Sequence, residues 1–301
     1  MSVTIIVVAF NSAAVLAECL ASIPAGVPVV VVDNASTDAS SAVAQAARAD
    51  ARVIRTPRNL GFGRGANAGF AVVESEFGLL LNADARLMPG VLEVLCDAAQ
   101  RYPDAGLLAP EIFGDDGALQ FGHALPHTPA HKRYLPMPAG DCCMDYVGGS
   151  AMFFRMSAFR ALGGFDDAIF LYGEDDDICM RMAAAGHALV HVVGGRVVHA
   201  GGKSTSPSPR LEWCKAWHQG WSRMHLEAKH RGRAAAWVYL LREWPSLAAK
   251  ALLRGRDARH TKWSGRSAGM AAWARGREAT VIGLDPAGEV ARFPAKGFRF
   301  R

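Results

Sequence analysis

The sequence lacks the marks of several protein classes. Its six cysteines stand at 19, 96, 142, 143, 179 and 214 and form no C-x-x-C, so neither a zinc ribbon nor a disulfide framework is expected. No Lys or Arg precedes Arg48, so the apolar start "MSVTIIVVAFNS" has no basic flank and does not read as a secretory leader. These absences predict a reduced, cytoplasmic protein. No internal repeat or low-complexity tract is visible in the 301 residues. Half of them are hydrophobic, enough to bury a substantial core. A membrane-spanning helix is also missing. The one stretch that invites that reading, 234–253, is broken by Arg242, Glu243, Pro245 and Lys250. Each charge at a bilayer centre costs about 2.5–3.5 kcal/mol. Arg231, Arg233, Arg254, Arg256 and Arg259 flank the stretch, and Trp237 and Trp244 lie within it. It suits either a helix lying in the plane of a membrane interface or a helix packed on protein.

What is present is unevenly distributed. Residues 1–202 hold 13 Lys/Arg against 21 Asp/Glu, whereas residues 203–301 hold 20 against 7. An acidic body with a basic tail calls for an anionic partner. Trp213, Trp217 and Trp221 stand at helical spacing and read as one packed face rather than as aromatics interleaved with a basic patch, so nucleic acid is not the expected partner.

Short apolar runs alternate with helical patterns from the N-terminus. Strands are predicted at 3–10, 27–34, 52–55 and 77–84, and helices over 12–22, 35–49 and 65–74. Such alternation implies an α/β fold with a mostly parallel central sheet and flanking helices. After Leu107 a Gly-, Pro- and His-rich stretch predicts a long loop or hairpin. "YVGGSAMFFR" reads as a strand, a helix is expected from about Asp176 to Ala185, and "ALVHVVGGRVVHAGG" is strand-like. From Glu212 onward the pattern is helical.

In parallel sheets, ligands sit outside the carboxyl ends of the strands. Asn11, Asp33, Asn34, Asn82 and Asp84 end these strands and are expected to share one crevice. Asp33 at a strand tip can accept from a nucleobase or ribose, while Ser36 or Asp38 can cap the next helix. In "NLGFGRGANAGF", Gly61, Gly63 and Ala66 match a dinucleotide fingerprint but follow the third strand rather than the first. The glycines are expected instead to admit a phosphate or sugar, with Arg64 and Asn67 as polar arms. Asn82 and Asp84 resemble a D-x-D whose first Asp is replaced. "GEDDDICMR" puts Glu174, Asp175, Asp176 and Asp177 in a row. Helix-terminal electrostatics explain Asp176 and Asp177 at about 0.3–1 kcal/mol each but leave Glu174 and Asp175 unexplained. A carboxylate among others suits a general base. His199 closes an apolar strand and suits a metal ligand.

Taken in order, "VVAFNS", "VDNASTD", "NLGFGRGANAGF", "LLLNAD", "GGSAMFFR", "GGFDDAIFLYGEDDDICMR" and "HAGGKS" resemble the family 2 glycosyltransferases with the GT-A nucleotide-diphospho-sugar transferase fold. The match covers roughly residues 1–205, with rhamnosyltransferase-like members nearest. The resemblance implies a transferase domain over 1–205. About 1–106 would form its nucleotide-sugar half and 107–205 its acceptor and catalytic half, and 206–301 would follow as a basic helical region. It implies Asp33 against the donor's base, with Ala9 and Asn11 beside it and Asn34, Arg64, Asn67 and Asn82 completing the donor site. Asp84 and His199 would hold Mg²⁺ or Mn²⁺. Asp175 would be the base, with Glu174 beside it, and Gly148, Gly149 and Asp177 would meet the acceptor. Asn82 in place of an Asp departs from the pattern and removes one carboxylate from the metal site. The implied reaction is inverting transfer of rhamnose or a similar hexose from a dTDP- or UDP-linked donor to a glycan or lipid-linked acceptor. The inner membrane face would be the place of work and an anionic surface a further partner. Two rival readings fit the sequence less well. A nucleotidyltransferase lacks its N-terminal Gly-rich loop with Arg and Lys here. A non-catalytic sugar- or polyanion-binding module leaves the carboxylates unexplained.

Overall fold

Runs of β-branched and aliphatic residues form the middle of one large sheet. A computed structural model of the chain describes residues 1–120, 139–199, 201, 208–253, 258–284 and 290–292. Two compact units divide it. The first comprises residues 1–58, 64–166 and 175–205, and the second 59–63, 167–174 and 206–301.

The first unit opens with β1 (Val3–Ala9), α1 (Ala13–Ala21), β2 (Val29–Asp33), α2 (Ser40–Ala47), β3 (Arg52–Arg55), α3 (Phe62–Phe70) and β4 (Phe77–Asn82). It continues with β5 (Ala85–Leu87), α4 (Val91–Arg101), β6 (Ala105–Phe113), β7 (Cys142–Cys143), β8 (Ala151–Arg155), α5 (Met156–Ala161), α6 (Glu174–Ala184) and β9 (Ala188–His199). The strands join in the order β3-β2-β1-β4-β8-β6-β9-β5, with β7 added to β9. The first four run parallel, as expected of strands buried on both faces. β8 then enters antiparallel between β4 and β6, so the whole sheet is mixed. Ile5, Val7, Val31, Leu79, Leu81 and Phe153 form the centre of its core.

Several boundaries differ from the sequence reading for local reasons. Ala35 takes a positive φ of 62°, and α2 starts only at Ser40. The Asp38 carboxylate accepts from the backbone N–H groups of both Ser40 and Ala13, so one side chain serves the starts of α1 and α2. Residues 111–113, read as loop, prolong β6 because they pair with Arg196–Val198 of β9. Residues 121–138 of the predicted loop or hairpin region lie outside the described residues, as do Arg254 and Arg256.

The second unit contains α7 (Pro209–Arg231), α8 (Arg233–Leu253), α9 (Ala258–Ala274) and the hairpin of β10 (Ile282–Leu284) and β11 (Val290–Arg292). Ser208 caps α7, accepting from the N–H of Leu211 at 3.1 Å, with Pro209 in the first turn. A Cβ on Gly269 would lie 2.0 Å from the Trp217 carbonyl oxygen, so α7 and α9 cross in backbone contact. Trp217 and Trp221 are buried in this packing, as their helical spacing foretold. Fully buried His218 stacks on Phe170 with ring centroids 4.9 Å apart, fastening the 167–174 segment to α7. Among the described residues no helix is long and apolar enough to cross a membrane.

Candidate active site

The carboxyl ends of β1, β2 and β4 lie side by side, with Ala9 opposite Asp33 and Val8 opposite Asn82. The expected crevice residues therefore share one sheet edge. Asp33 is 1% exposed. Its Oδ1 accepts from the Ser36 N–H at 2.8 Å, while Oδ2 receives no hydrogen bond among the described residues and lies 3.6 Å from Arg55 Nε. A buried carboxylate oxygen without a donor is expensive unless a ligand supplies one. Asn34 is buried beside it, its side-chain oxygen accepting from the Thr56 hydroxyl at 3.2 Å. Asn11 takes a φ of 50°, and its side-chain oxygen accepts from Thr37 N at 2.9 Å, which ties the loops after β1 and β2 together. Ala9 is fully buried, and its carbonyl accepts from Asn34 N at 2.8 Å, so it shapes the floor.

Asp84 and His199 come together at the same edge: Asp84 Oδ1 is 3.3 Å from His199 Nε2. The Asn82 amide nitrogen is 3.3 Å from the same imidazole nitrogen, and its Oδ1 is buried without a hydrogen-bond partner among the described residues. These neighbours make opposite demands on Nε2, since the carboxylate asks for a proton there and the amide N–H for a lone pair. A cation between them would remove the conflict, and with the Asn82 amide turned over its Oδ1 would face that cation in place of the nitrogen. One carboxylate, one imidazole and one amide oxygen fit a hard divalent ion that completes its shell with substrate oxygens and water. Among the described residues no three His, Cys, Asp or Glu side chains are grouped to hold an ion unaided. Ser150 Oγ is 3.3 Å from His199 Nδ1 and orients the ring.

Asp175 sits in the first turn of α6, which begins at Glu174 rather than Asp176. Its Oδ2 accepts from the Tyr146 hydroxyl at 2.6 Å and from Gly149 N at 3.2 Å. Burial and then the Asp175 charge push the Tyr146 phenol far above its ordinary range, so it stays protonated and remains a donor. Glu174 is buried. Burial, followed by Glu174 and Glu212, pushes the Tyr172 phenol up to about 12.

Other expected site residues serve the frame. Asn67 both donates to Phe165 O at 2.9 Å and accepts from Phe165 N at 2.8 Å, which staples α3 to the Phe165 backbone. Asp177 is fully buried and pairs with Arg181 at 2.7 Å, and Arg181 also donates to the carbonyls of Leu162 and Gly164. Through Arg181 it braces the turn before the acidic row. Gly149 spends its N–H on Asp175, while Gly148 helps line a cavity of about 390 Å³. Gly61, Gly65 and Gly69 of "NLGFGRGANAGF" are in close contact with other protein atoms. A Cβ on Gly69 would lie 2.5 Å from Ile6 Cγ2, and one on Gly61, at φ +85°, 2.2 Å from Phe170 O. Arg64 and Arg58 lie close together: burial, and then the Arg64 charge, lower the Arg58 pKa.

Sequence reasoning missed Tyr146, Ser150 and Arg58. Tyr146 and Ser150 flank the Gly148-Gly149 pair of the "YVGGSAMFFR" landmark, which is the signal that could have found them. Tyr146 and Ser150 both line the cavity, which therefore touches the partner of Asp175 on one side and the partner of His199 on the other.

The model of the family described as "Glycosyl transferase family 2" matches residues 4–163. The chain is 29% identical over 256 residues to the N-acetylglucosaminyl-diphospho-decaprenol L-rhamnosyltransferase of Mycobacterium tuberculosis, covering 71% of this chain and 83% of that one. Over 71 residues it is 39% identical to the rhamnosyltransferase WbbL of Escherichia coli, covering 23% of this chain and 27% of that one. Among solved structures, the mannosyltransferase PcManGT from Pyrobaculum calidifontis in complex with GDP-Man and Mn²⁺ superposes with a TM-score of 0.57. Its identity is 19%, over 91% of this chain and 86% of that one, which establishes the GT-A fold and no more. The chain thus belongs to glycosyl transferase family 2 and is a glycosyltransferase of rhamnosyltransferase-like sequence.

Proposed function

We propose that this enzyme moves rhamnose or a similar hexose, with inversion, from a dTDP- or UDP-linked donor to a hydroxyl of a lipid-linked saccharide. The observation that carries the reading is the setting of Asp175. One oxygen of its carboxylate is fixed by Tyr146 and Gly149, so the group is aimed rather than mobile. A fixed carboxylate at a helix start suits a base that takes the acceptor's hydroxyl proton. In this reading residues 1–106 hold the nucleotide sugar and 107–205 the acceptor.

Asp33 would accept from the base through Oδ2, with Asn11 and Asn34 fixing the surrounding loops. Arg58 and Arg64 would supply positive charge to the diphosphate. Asp84, His199 and Asn82 would hold Mg²⁺ or Mn²⁺, which when bound neutralises the leaving diphosphate. Glu174 would support the geometry of Asp175. Holding acceptor and anomeric carbon in line is the remaining contribution of the site. The rhamnosyltransferase relative, whose name specifies a diphospho-decaprenol acceptor, supports a lipid-linked one, and hence work at a membrane.

The test is binding and turnover with a panel of nucleotide sugars, with and without Mn²⁺, on wild type and Asp175→Asn. One donor is expected to bind in a metal-dependent way to both proteins, with turnover lost only in the variant. Unchanged turnover by Asp175→Asn would remove the base, and failure of every nucleotide sugar to bind would remove the reading.

A further inference from the structure

Helix α8 packs on its neighbours through one face and leaves another open. Ala236 and Leu240 are buried with Met224 of α7 and Met270 of α9. About a third of a turn away around the helix, Trp237, Val238, Leu241, Trp244 and Leu252 form a second apolar stripe. Leu241 is 72% and Leu252 85% exposed. At 100° per residue, positions 237, 241, 244 and 252 fall within about 80° of one another, one continuous strip roughly 22 Å long at 1.5 Å per residue. The two tryptophans are half-exposed and held in place. Trp244 donates its indole N–H to Ser267 O at 3.0 Å, and Trp237 meets the Trp273 ring at 6.1 Å. Their polar or inner parts are engaged by protein, and apolar ring surface is what remains open.

Such a strip needs a cover, and its charged surroundings select one. Arg231, Arg233, Arg242 and Lys250 are exposed on or beside α8. Its one acidic residue, Glu243, is tied to Arg242 at 2.9 Å. The region 203–301 is strongly basic, with 20 Lys/Arg against 7 Asp/Glu. A second copy would bring the same positive charge against the first and be repelled, whereas an anionic surface is attracted. We infer that α8 lies in the interface of an anionic lipid membrane, with the 237–252 strip inserted at the level of the acyl-chain boundary and the basic residues on headgroups. This inference stands on the second unit alone and does not require the assignment of Asp175 or of the donor.

The experiment is co-sedimentation of the full chain with phosphatidylglycerol-rich vesicles and with pure phosphatidylcholine vesicles, at low and high salt. It is repeated with the double variant Leu241→Glu/Leu252→Glu and with Lys250→Glu. Wild type is expected to bind the anionic vesicles at low salt, with a blue shift of Trp emission. The double variant should lose about tenfold or more of its partition coefficient. Lys250→Glu should lose a smaller factor, abolished at high salt. Both altered leucines are highly exposed, so the thermal midpoint should hold, which separates lost binding from lost folding. Absence of wild-type binding to anionic vesicles overturns the inference, as does binding by the double variant equal to wild type. A wild-type dimer that only the double variant dissociates, without vesicle binding, assigns the strip to a second copy and overturns it too.

Discussion

Two carboxylates, two positions apart in α6, meet different surroundings. Asp177 is sealed from solvent against Arg181, while Asp175 is half-buried and takes its hydrogen bonds from a phenol and a glycine N–H. Residue type and spacing alone do not separate them, because both lie in the same acidic row. The Tyr146 contact carries the residue-scale prediction. A hydrogen bond to a charged group contributes about 1.5–3 kcal/mol, equivalent to about ten- to a hundredfold in rate where the carboxylate must be aimed. Tyr146→Phe should lower kcat by that factor and leave donor affinity unchanged, as read by steady-state kinetics beside calorimetric donor titration. Equal kcat in the variant would show that Gly149 alone suffices to hold Asp175.

At the scale of elements, the landmark "NLGFGRGANAGF" is legible as special, and packing accounts for three of its glycines. Glycines one helical turn apart look the same in sequence whether they face a phosphate or a neighbouring strand. In the fold Gly65 and Gly69 lie on the inner face of α3 against Val8 and Ile6 of β1. A methyl group on Gly69 must displace Ile6 and Val32, both buried in the sheet. Overpacking of this kind costs about 1–3 kcal/mol. Gly69→Ala should therefore lower the unfolding free energy by that amount, measured by urea titration, while a water-exposed Ala at the same helix would not. Strand positions were the most readable part, since buried parallel strands are written as unbroken aliphatic runs. The antiparallel entry of β8 was not readable, because a strand's direction depends on where the chain returns after a long connection.

At the scale of the molecule, pH dependence of stability follows from a buried imidazole. His191 is 4% exposed on β9, and burial lowers its pKa below the ordinary 6.5, against the smaller opposing pull of Glu111 and Asp141. The unfolded chain therefore binds this proton at higher pH than the folded one. The stabilising contribution is present above about 6.5 and is lost as pH falls from there through the folded-state value. Thermal midpoints measured from pH 8 down to 5 should decline through that window, and the decline should be shallower in His191→Gln.

The amino-acid sequence by itself determined the alternating elements, the acidic body and basic tail, and the set of polar residues at the strand ends, because local pattern and covalent order carry these properties. Only the tertiary structure decided which of those residues share an edge. It placed Asp84 beside His199, 115 positions apart in the chain, and aimed Asp175 through Tyr146. It also spent Asn67 and Asp177 on the frame and left one strip of α8 uncovered. Those outcomes depend on contacts between segments far apart in sequence, and such contacts form only when the core that brings them together has packed.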